Sequence, residues 1–255
     1  MAWDPAQYLK YSDERLRAGF DLLARVGELP VGPIADLGCG TGAHARAMAE
    51  RWPERAVSGI DSSPEMLRQA QAIPSRIRWI EADLQRWIPQ EPPALIFSNA
   101  VLQWVDRHEA LLPRFLAALA PGGAMALQMP RNFEAPSHVL MRQTAVEGPW
   151  APRLEPLLRH DPVAAPAVYY DLLAPLAAEG LDIWETEYLH VLSGEDAVLN
   201  WVRGSALRPL LDPLMPSERT ELERLYATKL RDAYPKRADG KTLLPFRRIF
   251  IVARR

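Results

Sequence analysis

Three glycines in alternate positions, Gly38, Gly40 and Gly42, constrain this 255-residue chain more than any other feature. They follow the apolar run Ile34-Ala-Asp-Leu37 and precede a helical pattern. A side chain at such a turn would force strained dihedrals or obstruct a ligand, so the backbone is built for close approach. A second strand-like run closes on Gly59-Ile-Asp61. In a Rossmann-like unit an acid at that place accepts hydrogen bonds from both hydroxyls of a ribose. The first prediction is therefore a nucleoside-binding pocket at the ends of the leading strands.

Which nucleoside is decided by spacing. A dinucleotide fingerprint reads G-x-G-x-x-G and aims a helix N-terminus at a pyrophosphate. Here the order is G-x-G-x-G with Ala43 next, and Asp36 stands two residues before the first glycine. A carboxylate there repels a pyrophosphate and suits the ammonium of a methionine moiety. The pattern D-x-G-x-G-x-G resembles that of S-adenosylmethionine (SAM) methyltransferases. The cofactor set read on this pattern is Asp36, Gly38, Gly40, Gly42, Asp61, Ser62, Met66, Asp83, Leu84, Asn99 and Trp104. In that class an acid such as Asp83 takes the adenine amino group, and the following backbone N–H, here that of Leu84, bonds a ring nitrogen.

The flanks recur at the interval a doubly wound sheet requires. Pro64 to Ala72 reads as a helix with Ser62 or Ser63 as its cap. Ile77-Arg-Trp-Ile80 alternates as a strand, Ala94-Leu-Ile-Phe97 is an apolar central strand ending in Ser98-Asn99, and Arg107 to Ala118 has helical spacing. Pro121-Gly-Gly123 stops that helix and leads into the strand Ala124 to Met129. These repeats place the chain in the α/β class: a Rossmann-like, mostly parallel sheet, seven-stranded in the SAM fold, with an antiparallel last strand over Arg248 to Ala253.

Beyond Met129 the character changes. Seven prolines fall between Pro130 and Pro166, a density that breaks long helices into short ones. The chain reads as one domain, residues 1–255, with mainly helical cap insertions at about 130–168 and 194–242. Asp171 to Glu179 reads as a helix stopped by Gly180, and Ile183 to Leu192 as a strand. Ala197 to Leu211 and Ser217 to Ala233 read as helices, the latter capped by Ser217. Pro5 to Val26 reads as one or two helices whose aromatics, Tyr8 among them, either close over the cofactor or pack on the sheet's flank.

Composition narrows the partners. Hydrophobic residues make up 48% and charged residues 24%, an ordinary globular balance, and the formal net charge of −2 gives no field for nucleic acid. One cysteine, Cys39, excludes an intramolecular disulfide and fits a reducing compartment. With no signal-like segment and no membrane-length apolar run, a cytoplasmic enzyme that engages no membrane is expected. Five histidines (44, 108, 138, 160 and 190) show no metal-ligand spacing, so no metal is expected either. Oligomeric state is left open.

Nearly end to end, the chain resembles the trans-aconitate 2-methyltransferases, a family of bacterial class I SAM-dependent O-methyltransferases. The segments that carry the likeness are Trp3-Asp-Pro with Tyr8-Leu9, Ala35-Asp-Leu-Gly-Cys-Gly40, Gly59-Ile-Asp-Ser-Ser-Pro64 and Glu81-Ala-Asp83. Others are Leu102-Gln-Trp104, Gln128-Met-Pro130, His138-Val-Leu-Met-Arg142, Tyr169-Tyr-Asp171, Asp182-Ile-Trp184, Leu207-Arg-Pro209 and Phe250 to Arg255. The resemblance implies methyl transfer from SAM to one carboxylate of trans-aconitate, giving a monomethyl ester. A carboxylate is ionised at neutral pH and needs no general base, so no catalytic acid or base is expected.

A tricarboxylate needs cations and donors. The candidates are Asn132, His138, Arg142, Tyr169, Tyr170, Trp201, Arg203, Arg208, Arg247 and Arg248. Together with Tyr8 and Trp104, the residues Asn132, His138, Tyr170, Trp201, Arg208 and Arg247 form the substrate set. Arg208 is chosen for its apolar surroundings, where an unpaired guanidinium is costly. Arg247 and Arg248 alternate faces on the last strand, so at most one points at substrate. His138 is either a pocket donor or a cap-stabilising group, and Trp104 either walls the transfer site or packs in the core. Competing readings are a malonyl-acyl carrier protein O-methyltransferase, a SAM-binding protein without turnover, and a NAD-dependent oxidoreductase.

Overall fold

A computed structural model describes residues 12–255, with side chains from Leu16 onward. The sequence expectations for Trp3-Asp-Pro5 and Tyr8-Leu9, including Tyr8 as a substrate contact, lie outside the described residues.

Helix α1 (Ser12–Arg25) precedes β1 (Ile34–Leu37), α2 (Ala43–Arg51), β2 (Val57–Asp61), α3 (Pro64–Gln71) and β3 (Arg78–Glu81). Strand β4 (Leu95–Asn99), α4 (Leu112–Ala118) and β5 (Ala124–Pro130) complete the first half. Seven strands form one sheet in the order β3-β2-β1-β4-β5-β7-β6, with β6 (Leu181–Leu192) and β7 (Thr242–Arg254) at one side. The first five pair in parallel, and β7 runs antiparallel to both β5 and β6. The strand order reverses between β1 and β4, and ligands in open α/β sheets bind outside the carboxyl ends at that switch.

Alternation along the central strands builds two cores. On β4 and β5, Leu95, Phe97, Ala124 and Ala126 face α1 and α2, whereas Ile96, Met125, Leu127 and Met129 face α4 and α7 (Pro166–Leu173). All are buried, as expected of a parallel sheet covered on both faces. A third core lies in the cap. Here α5 (Pro136–Glu147) and α6 (Ala151–Leu154), from between β5 and β6, meet α8 (Ala197–Arg203), α9 (Arg208–Leu211) and α10 (Pro216–Ala233), from between β6 and β7. Trp150, Trp201, Tyr226 and Phe246 dominate it. The two insertions thus share one apolar centre against the outer ends of β6 and β7.

Several boundaries differ from the sequence expectation, mostly at prolines. The expected helix Asp171–Glu179 begins instead at Pro166 and ends at Leu173. A proline in the first turn forfeits only an N–H that has no helical partner, so Pro166 starts a helix rather than breaking one. Ala197–Leu211 is divided at Gly204, with Pro209 in the first turn of α9. Helix α10 starts at Pro216, so Ser217 lies inside it; Glu218 Oε2 accepts from the Met215 amide at 2.9 Å in place of a serine cap. In Arg107–Ala118 the first turn, His108–Leu111, is a 3-10 turn, preceded by Arg107 at φ +54°. Between Ser62 and Ser63 the cap is Ser63, whose Oγ accepts from Met66 N at 3.3 Å. Among the described residues no helix is long and apolar enough to cross a membrane.

Candidate active site

A cavity of about 980 Å³ opens at the carboxyl ends of the strands and extends beneath the cap. Its floor at one end is the glycine turn. Gly38 and Gly40 sit at φ +70° and +54°, a region that disfavours a side chain. A Cβ on Gly38 would fall inside the Val101 side chain, while a Cβ on Gly40 would meet nothing within 4 Å, because that face is open cavity. Gly42 caps α2 behind the turn, with the Trp79 indole where its side chain would be, and does not line the cavity.

Asp61, at the end of β2, ties this turn together. Its Oδ2 accepts from the Gly40 amide at 2.8 Å and its Oδ1 from the Ser63 amide at 2.8 Å. Each carboxylate oxygen can accept one more hydrogen bond, and Asp61 lines the cavity. Farther along, after β3, Asp83 lines the cavity with Leu84, its Oδ1 accepting from Gln85 N at 2.9 Å. Ser62, Met66, Asn99 and Trp104 also line it. Asp36 does not: it is buried behind the turn, with a backbone bond from Ala45 and an Oδ2 that has no partner. Burial, reinforced by the nearby Asp61 charge, pushes its pKa up to about 8.

Past β4 the chain takes an unusual step. Ala100 has φ +57°, a left-handed conformation seldom adopted outside glycine, and lines the cavity. Its amide donates to Gln128 O at 2.9 Å, and its carbonyl accepts from Gln103 Nε2 at 2.7 Å. The buried Oδ1 of Asn99 has no partner.

Under the cap the wall is made by Pro130, Asn132, Phe133 and His138 from the first insertion, and by Trp201, Ser205, Ala206 and Pro209 from the second. Phe246 and Arg248 of β7 close the end. The Asn132 side chain is 6% exposed and neither its Oδ1 nor its Nδ2 has a partner. His138 is buried beside Ser137 Oγ (3.2 Å from Nδ1) and edge-on to Phe133. Burial, aided by the Arg142 charge, lowers its pKa to about 4, so the imidazole is neutral at pH 7. Arg248, 3% exposed, lies over the Phe246 ring at 4.6 Å and donates to Gln128 Oε1 at 3.4 Å.

Three expected substrate contacts stand elsewhere. Arg247 projects from the opposite side of β7, half-exposed and 4.0 Å from Glu187, and the cavity takes Arg248 in its place. The sequence does not mark this choice, because Leu243, Ile249 and Ile251 on Arg247's parity are as apolar as Leu244, Phe246 and Phe250 on Arg248's. Tyr170 is 58% exposed on α7, while its neighbour Tyr169 is buried and hydrogen-bonded to His108 at 2.8 Å. Arg208 turns off the face of α9, where Pro209 meets the cavity. Two further candidates are held by local partners, Arg142 by Glu134 and the Phe133 carbonyl and Arg203 by Glu223. Gln103, Arg159 and His160 line the cavity without having been selected from the sequence.

The sheet also acts as a ruler. Neighbouring strands lie about 4.8 Å apart, so β7 stands roughly 14 Å from β1, with β4 and β5 between them. Acid-bearing turns of β2 and β3 thus occupy one end of the cavity and the guanidinium of Arg248 the other.

Known proteins agree with this architecture. A family model described as a methyltransferase domain matches residues 34–123. The YcgJ protein from Bacillus shares the fold at a TM-score of 0.61 and 13% identity, over 94% of this chain and 98% of that one. A Haemonchus contortus phosphoethanolamine N-methyltransferase 2, solved with S-adenosylhomocysteine, aligns at a TM-score of 0.53 and 16% identity over 93% of this chain and 52% of that one. Sequence relatives are much nearer. The trans-aconitate 2-methyltransferase of Azoarcus sp. (strain BH72) is 48% identical over 98% of both chains. That of Streptomyces avermitilis is 48% identical over 99% of this chain and 96% of its own. An identity of this size over nearly the whole length of both chains makes this chain a member of the trans-aconitate 2-methyltransferase family.

Proposed function

We propose that the chain transfers the methyl group of SAM to a carboxylate of trans-aconitate, giving the monomethyl ester and S-adenosylhomocysteine. The observation that carries this reading is one continuous cavity with acids at the sheet-switch end and a buried guanidinium at the cap end.

The residues present fit SAM. Gly40 leaves open space for a ligand against the backbone, and Asp61 offers two oxygens already oriented by backbone donors. Asp36 stands behind the glycine turn and outside the cavity, so its effect on the ammonium of a bound SAM is electrostatic, across the turn. When bound, SAM supplies an electrophilic methyl on a sulfonium.

The chain's own part is orientation. The acceptor carboxylate is ionised at neutral pH, so no proton has to be moved. The new bond joins carboxylate oxygen to methyl carbon, the sulfur–methyl bond breaks, and its electron pair stays on sulfur. A side chain acting as base would add nothing. What this requires is an oxygen held in line with the methyl at short range, which alone is worth several kcal/mol of barrier. Trp104, the Ala100 turn and Asn99 line the stretch between the two ends where that alignment would occur.

The test is methyl transfer from labelled SAM to trans-aconitate, cis-aconitate, citrate, malonyl-acyl carrier protein and no acceptor. Ester formed on trans-aconitate well above the others is expected. Preferential transfer to the carrier protein would overturn the reading, and so would tight SAM binding without turnover on any acceptor.

A further inference from the structure

We propose that Arg248, Asn132 and His138 form a carboxylate clamp that selects tricarboxylates and holds the acid by its non-reacting carboxylates, Arg248 taking the one farthest from the transferred methyl. This rests on the function proposed above and adds which groups read the substrate and which carboxylate is left to react.

The argument begins with charge. Trans-aconitate carries three carboxylates, and a buried anion needs a partner. Among the described residues that line the cavity, Arg248 and Arg159 carry the arginine charges, and they differ in setting. Arg159 lies at the rim, a third exposed and paired with Asp106 at 3.2 Å. Arg248 is 3% exposed, and its guanidinium lies over the Phe246 ring and donates to Gln128 Oε1 at 3.4 Å. Gln128, itself 1% exposed, is a positioning residue that orients the fork. A planar, preorientated guanidinium matches a carboxylate in two parallel hydrogen bonds.

Asn132 supplies the second observation. Its amide is buried on the cavity wall with both polar atoms unpartnered, and such groups are rare in native proteins without a ligand to complete them. His138 adds a donor without adding charge. Ser137 Oγ lies 3.2 Å from Nδ1, and in the tautomer that accepts the serine hydroxyl there the Nε2 carries the proton. The cap end therefore offers one cation and two neutral donors, enough for two carboxylates and not three.

Geometry assigns the third. Arg248 stands on β7, two strand spacings or about 10 Å from β4, where Asn99 and Ala100 line the cavity. A carboxylate paired with Arg248 is remote from the methyl, and pairing would also reduce its nucleophilicity. The reacting carboxylate is the one the clamp does not hold.

The experiment compares wild type with Arg248→Met, Arg248→Lys and Asn132→Leu. SAM affinity and thermal midpoint are measured first. Binding to the S-adenosylhomocysteine-loaded protein and steady-state kinetics then follow, with trans-aconitate and with unsaturated dicarboxylates lacking one of its carboxylates. Arg248→Met should keep wild-type SAM affinity, raise KM for trans-aconitate about 100-fold and change kcat little, in line with loss of a buried charged pair. Its preference for trans-aconitate over the dicarboxylates should collapse. Arg248→Lys, which keeps the charge but not the fork, should lose about tenfold. Asn132→Leu should raise KM with kcat maintained. An Arg248→Lys variant with wild-type SAM binding and unchanged KM would overturn the clamp, as would equal losses for tricarboxylates and dicarboxylates. Wild-type protein that binds tricarboxylates through Arg248 yet never methylates them would refute the proposed function and leave the clamp standing.

Discussion

Asp61 holds Gly40: the carboxylate Oδ2 accepts the glycine amide at 2.8 Å, across the gap between the ends of β1 and β2. The same carboxylate accepts from Ser63 N through Oδ1, so one side chain anchors both the glycine turn and the start of α3. A pocket acid of this kind has a double duty, shaping the turn and presenting acceptors to a ligand.

Asp61→Asn tests that duty. The amide is nearly isosteric but turns an N–H toward a backbone N–H, and a charge-assisted bond is lost with it. SAM affinity should fall by roughly 100-fold, about 3 kcal/mol, measured by calorimetry on protein that still unfolds cooperatively.

Asp36 gives the free protein a stability that falls with rising pH. Its folded pKa, pushed up to about 8, lies above the unfolded value of 3.8, so between these limits the folded state holds more protons. The contribution is complete below pH 4 and is lost as pH rises through about 8, and its size is on the order of a few kcal/mol. Asp36→Asn should therefore gain in thermal midpoint relative to wild type as pH goes from 5 to 8. A constant difference across that range would mean that the carboxyl does not titrate on unfolding.

His138 has the opposite sign. Its folded pKa of about 4 lies below the unfolded 6.5, so its contribution is present above pH 6.5 and drains away as pH falls through 4. His138→Gln should flatten the acid side of the stability profile, read as thermal midpoint from pH 7 to pH 4.

Gly19 is a hole filled by a histidine. A Cβ there would fall inside the His44 ring, whose Nε2 lies 3.1 Å from Leu16 O on the same helix, and Phe20 and Phe97 flank the imidazole. Alanine normally favours a helix over glycine, yet Gly19→Ala should destabilise by about 2 kcal/mol through overpacking. His44→Ala should absorb much of that cost in the double variant, giving a coupling that a double-mutant cycle measures.

The sheet-switch end of the cavity was legible because it is local. The turn Gly38 to Gly42, the acid closing β2 and the acid after β3 are each defined by neighbours a few residues away, and the near-continuous apolar runs Ala94 to Phe97 and Ala124 to Met129 announced strands covered on both faces. Proline was harder to read, since Pro166 and Pro216 start helices whereas similar residues elsewhere interrupt them; the outcome depends on what precedes each one.

The cap end was another matter. Arginine and amides among aromatics line the cavity there, but the choices between Arg247 and Arg248, Tyr169 and Tyr170, and Arg208 and Pro209 each turn on one residue. A single step reverses the face of a strand and rotates a helix position by about 100°. Which face looks inward is set by what packs against it, and here that is a cap core assembled from two insertions far apart in the chain. By itself the sequence determined the sheet, the glycine turn and the acids around it, because those follow from backbone conformation and short-range periodicity. Only the tertiary structure decided that Asn132, His138, Trp201 and Arg248 share one wall, because their meeting depends on packing between segments that have no local means of finding one another.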